Sequence, residues 1–367
     1  MAPTTTKAWT VQGKDGFDSL KFNEQAQIPE IGDKDVLVKS MYLEPVRLIN
    51  NADSAIIVHA ASLNYRDLII PKGKYPFPMK DNIVPGSDGA GTVEAVGKHV
   101  TRFQPGDKVV TLFNQGHTAG SLDAQSLGTG LGGALDGTLR EYAVFDEAGL
   151  VAAPSNLNML EASTLSCAAL TAWNALYGLE SRALKPGDFV LTQGTGGVSI
   201  FALQFAKAAG AKVIATTSSA SKADLLKKYG ADYVINYKET PNWGEEAQKL
   251  TPRGAGVQHV VEVGGPTTMA QSLKAVAIDG VITIIGFIGG AGKDQPTFLD
   301  CLNNICTVRG ILVGSRLQME DMCRAIEAND IHPIVDEKVF ELKDLKEAYQ
   351  YMWDQKHFGK LTVKVAA

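Results

Sequence analysis

A chain of 367 residues, 45% hydrophobic and 20% charged, has room for two domains with separate cores, and its composition is that of a folded protein. Its 40 acidic against 35 basic residues give a net charge of −5 without any basic block, so nothing recommends nucleic acid or an anionic membrane as a partner. Four scattered cysteines with no Cys-x-x-Cys pair exclude a disulfide framework and read as small core residues.

The opening stretch MAPTTTKAWT has no apolar core of signal-peptide length, and no run of about 18 apolar residues follows, so the expected compartment is the cytoplasm. Through about residue 150, β-branched residues are broken by Gly and Pro, as in GSDGAGTVEAVG and PGDKVVTLF. That texture predicts short strands joined by tight turns, with Gly89, Gly91 and Gly97 at bends. Residues 40–57, SMYLEPVRLINNADSAII, interrupt what otherwise reads as one strand running from DVLVK into VHAAS. They are expected to form a surface excursion, of the kind a retained intron or a mis-called gene model would add. The glycine-rich loop 113–137 is of a length that is usually functional or mobile.

From about residue 160 the texture changes. MLEASTLSCAALTAWNALYGL predicts a buried helix, and strand-like runs then alternate with helices at 188–193, 211–217, 232–236, 258–263, 280–286 and 307–313. Such alternation implies an α/β unit, a parallel sheet covered on both faces. After about residue 316 a helix and VFELKDLKEAYQYMWDQKHFGKLTVKVA return to mixed texture, as though the chain rejoins its first domain.

Gly194-Thr195-Gly196-Gly197-Val198-Ser199 follows one such strand and opens a helix ending at Gly210. In a dinucleotide-binding turn the first glycine permits the tight bend and the second lets backbone approach a pyrophosphate. The third position packs helix on strand, a task small enough for Ser199. The helix N-terminus offers N–H groups to the phosphates; the plain alternative is a glycine turn with no ligand. The next strand ends in Thr216, Thr217, Ser218 and Ser219, with Lys222 beyond and no acid to hold a bare ribose. Hydroxyls and a cation suit a 2′-phosphate, hence NADP(H), unless Lys222 is merely a solvated helix charge.

Across nearly its full length the chain resembles the medium-chain dehydrogenase/reductase superfamily, and within it the zinc-free, quinone-oxidoreductase-like branch also called zinc-type alcohol dehydrogenase-like. The resemblance rests on AASLNYRDL (60–68), VPGSDGAGTVEAVG (84–97), PGDKVV (105–110), DGTLREYAV (136–144), LSCAALTAWNAL (165–176), QGTGGVSIFALQFAKAAGA (193–211), YGADYVINY (229–237) and FGKLTVKV (358–365). It implies a GroES-like, β-rich catalytic domain over 1–155, completed by 317–367, and a Rossmann domain with a doubly wound parallel sheet over 156–316. It also implies an active site in the cleft between them.

The same resemblance implies site residues. Asn64 and Asp67 would lie near the nicotinamide with Thr171, and Tyr75 would project from a covering loop. Asn64 is otherwise a helix cap and Tyr75 ordinary packing; Tyr65 and Arg66 are lesser candidates. Further cofactor contacts would come from Tyr237, Val263, Gly264, Gly286, Phe287, Ile288, Ser315, Arg316 and Lys360. Zinc-dependent members hold a catalytic metal with Cys, His and Cys. Here those positions carry Asn64, Ser87 and Cys167, and the interval from 90 to 130 has none of the four cysteines of a structural zinc lobe. No metal is expected, and Cys167 reads as a small residue under the cofactor or an oxidisable thiol.

The implied function is NADPH-dependent hydride transfer to a quinone, an α,β-unsaturated ketone or an aldehyde, with a small-molecule substrate and a homodimer formed by edge strands. Two alternatives stand beside it: a trans-acting enoyl reductase of secondary metabolism, and a non-catalytic NADPH-binding protein.

Overall fold

The computed structural model describes residues 5–28, 35–38, 53–286, 290 and 295–366, with backbone only at 35–38 and 53–57. Two compact units emerge: Met1–Ala168 together with Gly314–Ala367, and Ala169–Val313.

The second unit is built on a six-stranded parallel sheet among the described residues. From edge to edge its strands are Tyr233–Asn236, Lys212–Thr217, Phe189–Gln193, Val257–Glu262, Val276–Ile284 and Thr307–Gly310. The order reverses beside the strand that comes first in the chain, the topology that opens a ligand crevice at the strands' carboxyl ends. These strands are near-continuous apolar runs because helices cover both faces, leaving Leu191, Ile214, Val260 and Ile282 with almost no exposure. Each sequence-predicted strand here is present within a few residues of its expected bounds.

The first unit holds an eight-stranded, mainly antiparallel sheet. Its order is Phe340–Glu341, Thr362–Lys364, Asp53–Ser62, Tyr142–Asp146, Asp35–Val38, Asp88–Val96, Lys108–Thr111 and Leu150–Ala152. Leu20, Leu63, Leu68, Leu139, Tyr349 and Leu361 fill its core. The chain's last strand therefore completes the sheet begun by its first half, and Thr362–Lys364 runs antiparallel to Ala60–Ser62.

Two expectations are revised. DVLVK and VHAAS do not form one strand: Asp35–Val38 lies parallel beside Asp53–Ile56 as a separate strand. The end of the expected excursion, 53–57, belongs to the sheet, with Ala55, Ile56 and Ile57 paired to Val144, Ala143 and Tyr142. A run rich in β-propensity finds its backbone partners in a ladder, where a surface loop would leave them to water. Residues 40–52 lie outside the described residues. In the loop 113–137, the turn Ala124–Leu127 and bridges Asn114–Gly130 and Leu131–Leu135 give local order.

Candidate functional site

In the first unit the sheet brings four distant segments to one buried point. Register between Thr362–Lys364 and Ala60–Ser62, continued by the Leu63 N–H to Leu361 carbonyl bond of 2.9 Å, sets Lys360 against Asn64. The turn before Asp88 is held by backbone and side chain: Gly137 N–H reaches the Val84 carbonyl at 2.7 Å and Leu139 N–H the Pro85 carbonyl at 3.1 Å, while Val84 N–H donates to Asp136 Oδ1 at 3.0 Å. A Cβ on Gly137 would stand 1.8 Å from the Gly86 carbonyl, so this crossing of two backbones requires glycine.

At that point Lys360 Nζ, with 3% of the residue exposed, donates to Asn64 Oδ1 at 2.7 Å, to the Leu63 carbonyl at 2.9 Å and to Asp88 Oδ2 at 3.3 Å. Asp88 is fully buried and also accepts from Ser62 Oγ at 2.9 Å and Ser87 Oγ at 2.7 Å. Such a pair holds its charges inside the protein only because hydrogen bonds satisfy the remaining lone pairs. Asn64 Nδ2 lies 3.5 Å from Ser87 Oγ. Asn64 also heads the helix Tyr65–Ile69, where Asp67 Oδ2 accepts its backbone N–H at 2.8 Å. Burial raises the Asp67 carboxyl to about 6 against the pull of Arg66, and its Oδ1 has no hydrogen-bond partner among the described residues.

Arg66 packs its guanidinium over the rings of Tyr75 and Phe113, 4.8 and 4.7 Å from their centroids. It donates to Tyr75 Oη at 3.2 Å and to the Leu131 carbonyl at 2.7 Å. Tyr75 is thus bound to Arg66, next door to Asn64 and Asp67.

Cys167 sits in a π-helical turn, Leu165–Ala169, a form frequent at functional sites. Burial, aided by Asp88, pushes its thiol up to about 12. Asn64, Ser87 and Cys167 therefore make a poor zinc set. The amide oxygen already faces an ammonium, the hydroxyl gives its proton to Asp88, and the thiol is not poised as thiolate.

The second unit presents the glycine turn. The strand Phe189–Gln193 leads into Gly194, whose φ of +73° is a glycine conformation, and then into the helix Gly197–Ala208. A Cβ at Gly194 or Gly196 would meet nothing within 4 Å, so the turn is open where a pyrophosphate would lie. Ser199 Oγ donates to the Gln193 carbonyl at 2.6 Å and pins helix to strand from the third position of the turn.

Of the other expected cofactor residues, the ends of the two neighbouring strands lie beside it. Gly194 N–H bonds the Thr216 carbonyl at 2.8 Å, and Tyr237 N–H bonds the Thr217 carbonyl at 3.0 Å. Thr217 Oγ1 accepts from Ser219 N–H at 3.3 Å, while Ser219 caps the helix Ala220–Lys228 through Lys222 N–H. Ser218 lies between them, and Thr195, Gly197 and Val198 are part-exposed along the turn. Gly286 backs onto the Val263 carbonyl. Thr171 is buried within the helix Leu170–Tyr177. Ser315, Arg316 and Lys360 belong to the other compact unit. There Ser315 caps the helix Arg316–Ala328, and Arg316 reaches the Ala148 carbonyl at 3.3 Å. Phe287 and Ile288 lie outside the described residues.

Sequence reasoning overlooked the support of the turn. Glu262 is fully buried and accepts from Gly264 N–H and Gly265 N–H, both at 2.9 Å, from Thr268 Oγ1 at 2.5 Å, from Gln193 Nε2 at 2.7 Å and from Ser272 Oγ. Gln193 Oε1 in turn accepts from Val263 and Gly264 N–H at 3.2 Å. A lone acid inside the apolar run QHVVEVGG was the available signal. Asp88 was overlooked as well, though GSDGAG places an acid in a strand of small residues.

The models of two families match the chain: an alcohol dehydrogenase GroES-like domain over residues 50–155 and a zinc-binding dehydrogenase domain over 197–328. A zinc-type alcohol dehydrogenase-like protein of Schizosaccharomyces pombe is 48% identical over 354 residues, which is 95% of this chain and 96% of that protein. An acryloyl-coenzyme A reductase of Sulfurisphaera tokodaii is 30% identical over 322 residues, 85% of this chain and 92% of that one. Among solved structures, one provisionally assigned as an alcohol dehydrogenase from Sinorhizobium meliloti superposes with a TM-score of 0.85 at 37% identity, covering 99% of this chain and 100% of its own. With both domains matched and the likeness running nearly end to end, the chain belongs to the medium-chain dehydrogenase/reductase superfamily of oxidoreductases.

Proposed function

We propose that this oxidoreductase is an NADPH-dependent reductase of quinones, α,β-unsaturated ketones or aldehydes that works without a metal. The observation carrying this reading is the buried Lys360–Asn64–Asp88 cluster, which puts a lysine ammonium on the oxygen of the side chain that stands at the first zinc-ligand position. Zinc polarises a substrate carbonyl as a Lewis acid; here that task falls to hydrogen-bond donors held in place beforehand.

A reduced nicotinamide, when bound, supplies the hydride. The chain's own contribution is to hold the dinucleotide by the open turn Gly194–Gly197 and to discriminate its 2′ position with Ser218, Ser219 and Lys222. Asn64 donates an N–H to the substrate carbonyl, and solvent delivers the proton that completes reduction. The relative named for acryloyl-coenzyme A supports an acceptor with a conjugated carbonyl. In solution the protein is a homodimer, its contact formed along the edge strand Thr307–Gly310, beside which Ile278, Phe298, Leu302 and Ile305 are exposed.

A panel of quinone, enone, aldehyde and enoyl-thioester acceptors, followed by NADPH oxidation, tests the reading. Turnover with at least one class is expected. Tight NADPH binding without oxidation by any acceptor would favour a cofactor-binding protein instead.

A further inference from the structure

Lys360 and Asn64 are joined by a bond whose direction is fixed by chemistry. An ammonium only donates, so the atom 2.7 Å from Lys360 Nζ is the carboxamide oxygen. The Asn64 amide therefore cannot flip without placing its NH2 against a buried cation. Its orientation is set, and Nδ2 is the group turned away from Lys360. Among the described residues Nδ2 meets one acceptor, Ser87 Oγ, at the long distance of 3.5 Å. That hydroxyl is itself oriented, because its proton goes to Asp88 at 2.7 Å. An amide nitrogen carries two protons, so one N–H remains to be donated.

Lys360 is equally constrained. Its three protons have three acceptors, Asn64 Oδ1, the Leu63 carbonyl and Asp88 Oδ2, and only 3% of the residue is exposed. An ammonium so enclosed has no proton left for a phosphate or ribose. Asp88 is fixed in turn by Ser62 and Ser87.

We infer that Lys360 is a positioning residue, not a cofactor ligand: it locks the Asn64 carboxamide so that Nδ2–H points at the substrate carbonyl. Pulling on Oδ1 also polarises the amide and makes that N–H a better donor. The inference rests on the proposed carbonyl-reductase reading for the identity of the acceptor, though not for the lock itself.

The test compares the parent with Lys360→Met, Asn64→Ala, the double variant, and Lys360→Met with Asp88→Asn, which removes both buried charges together. Steady-state kinetics with an active carbonyl acceptor, NADPH binding by fluorescence, and a crystal structure of a Lys360 variant are the readouts. Lys360→Met should lower kcat about a hundredfold, at the low end of the range for one lost, well-oriented donor. It should leave the NADPH dissociation constant within about twofold. Asn64→Ala should cost a similar factor, and the double variant little more than either alone, since both act through one N–H. The Asn64 amide should be rotated or split between two orientations in the crystal.

If Lys360→Met weakens NADPH while sparing kcat, or if the two losses multiply, the inference is wrong. Should Lys360→Met prove insoluble, the charge-neutral pair Lys360→Met with Asp88→Asn carries the same expectations. A parent that reduces no carbonyl at all refutes the functional reading. In that case the amide orientation in the variant crystal still decides the lock, and an unchanged orientation overturns it.

Discussion

Replacing Glu262 by glutamine turns one acceptor oxygen into a donor where all five of its partners donate to it. If the new amide oxygen keeps the place of Oε1, the bonds from Gly264, Gly265 and Thr268 survive. The new NH2 then faces Gln193 Nε2, 2.7 Å away, and the Ser272 hydroxyl, which can reorient to accept from it. Gln193 Nε2 cannot adapt, because turning its amide would break the bonds from Val263 and Gly264 N–H to Oε1. The change thus forfeits two hydrogen bonds to a charged acceptor, at roughly 1.5–3 kcal/mol each, and leaves Gln193 Nε2 with Ser272 Oγ, 2.9 Å away, as its remaining acceptor. With Ser272 partly compensating, a loss of about 3–5 kcal/mol is expected. Urea unfolding followed through Trp243, which is buried in the same unit, gives the value with an unchanged denaturant slope. Because Gln193 ends the strand that feeds the glycine turn, the dinucleotide should also bind more weakly. A stability change below about 1 kcal/mol would refute the view that this network holds the turn.

Asp67, raised by burial to about 6 from 3.8, binds a proton more readily when folded than unfolded. Its contribution is full well below the unfolded value and lost as pH rises through about 6, so between pH 4 and 7 the parent should lose about 2 kcal/mol relative to Asp67→Asn, at ~1.36 kcal/mol per pKa unit. Denaturation curves at the two ends show it, and a constant gap between the proteins would contradict it. Lys222→Ala should weaken NADPH about tenfold and leave NADH almost unchanged, since a charge-assisted bond is worth about one decade or more; equal weakening of both would remove Lys222 from 2′-phosphate recognition. Leu302, 72% exposed near the Thr307–Gly310 edge, should become a dimer breaker as Leu302→Asp. Light scattering would show the variant as a monomer, and a parent mass that is already monomeric at every concentration would end the dimer proposal.

The parallel sheet was legible because its strands are apolar runs punctuated by helices, and the turn because Gly194 stands where a φ of +73° favours glycine. Gly314–Ala367 belongs with the first unit, and the division falls close to the change in texture after residue 316. What stayed hidden depends on pairing between distant segments. Lys360 meets Asn64 only through strand register, a relation that spacing along the chain does not carry. Glu262 reads in sequence as an oddity in a strand, and its meaning emerges only when five donors converge on it. Residues 53–57 read as part of an excursion because removing them leaves a good strand, yet they find ladder partners of their own in Tyr142–Val144.

The central claim, reduction of a carbonyl by NADPH without metal, is met most directly by one assay on one purified sample: oxidation of NADPH and of NADH by 9,10-phenanthrenequinone, with and without chelator, alongside elemental analysis for zinc. The account predicts turnover that favours NADPH, is untouched by chelator, and comes from protein holding far less than one zinc per chain. Stoichiometric zinc lost together with activity, or a clear preference for NADH, would contradict it.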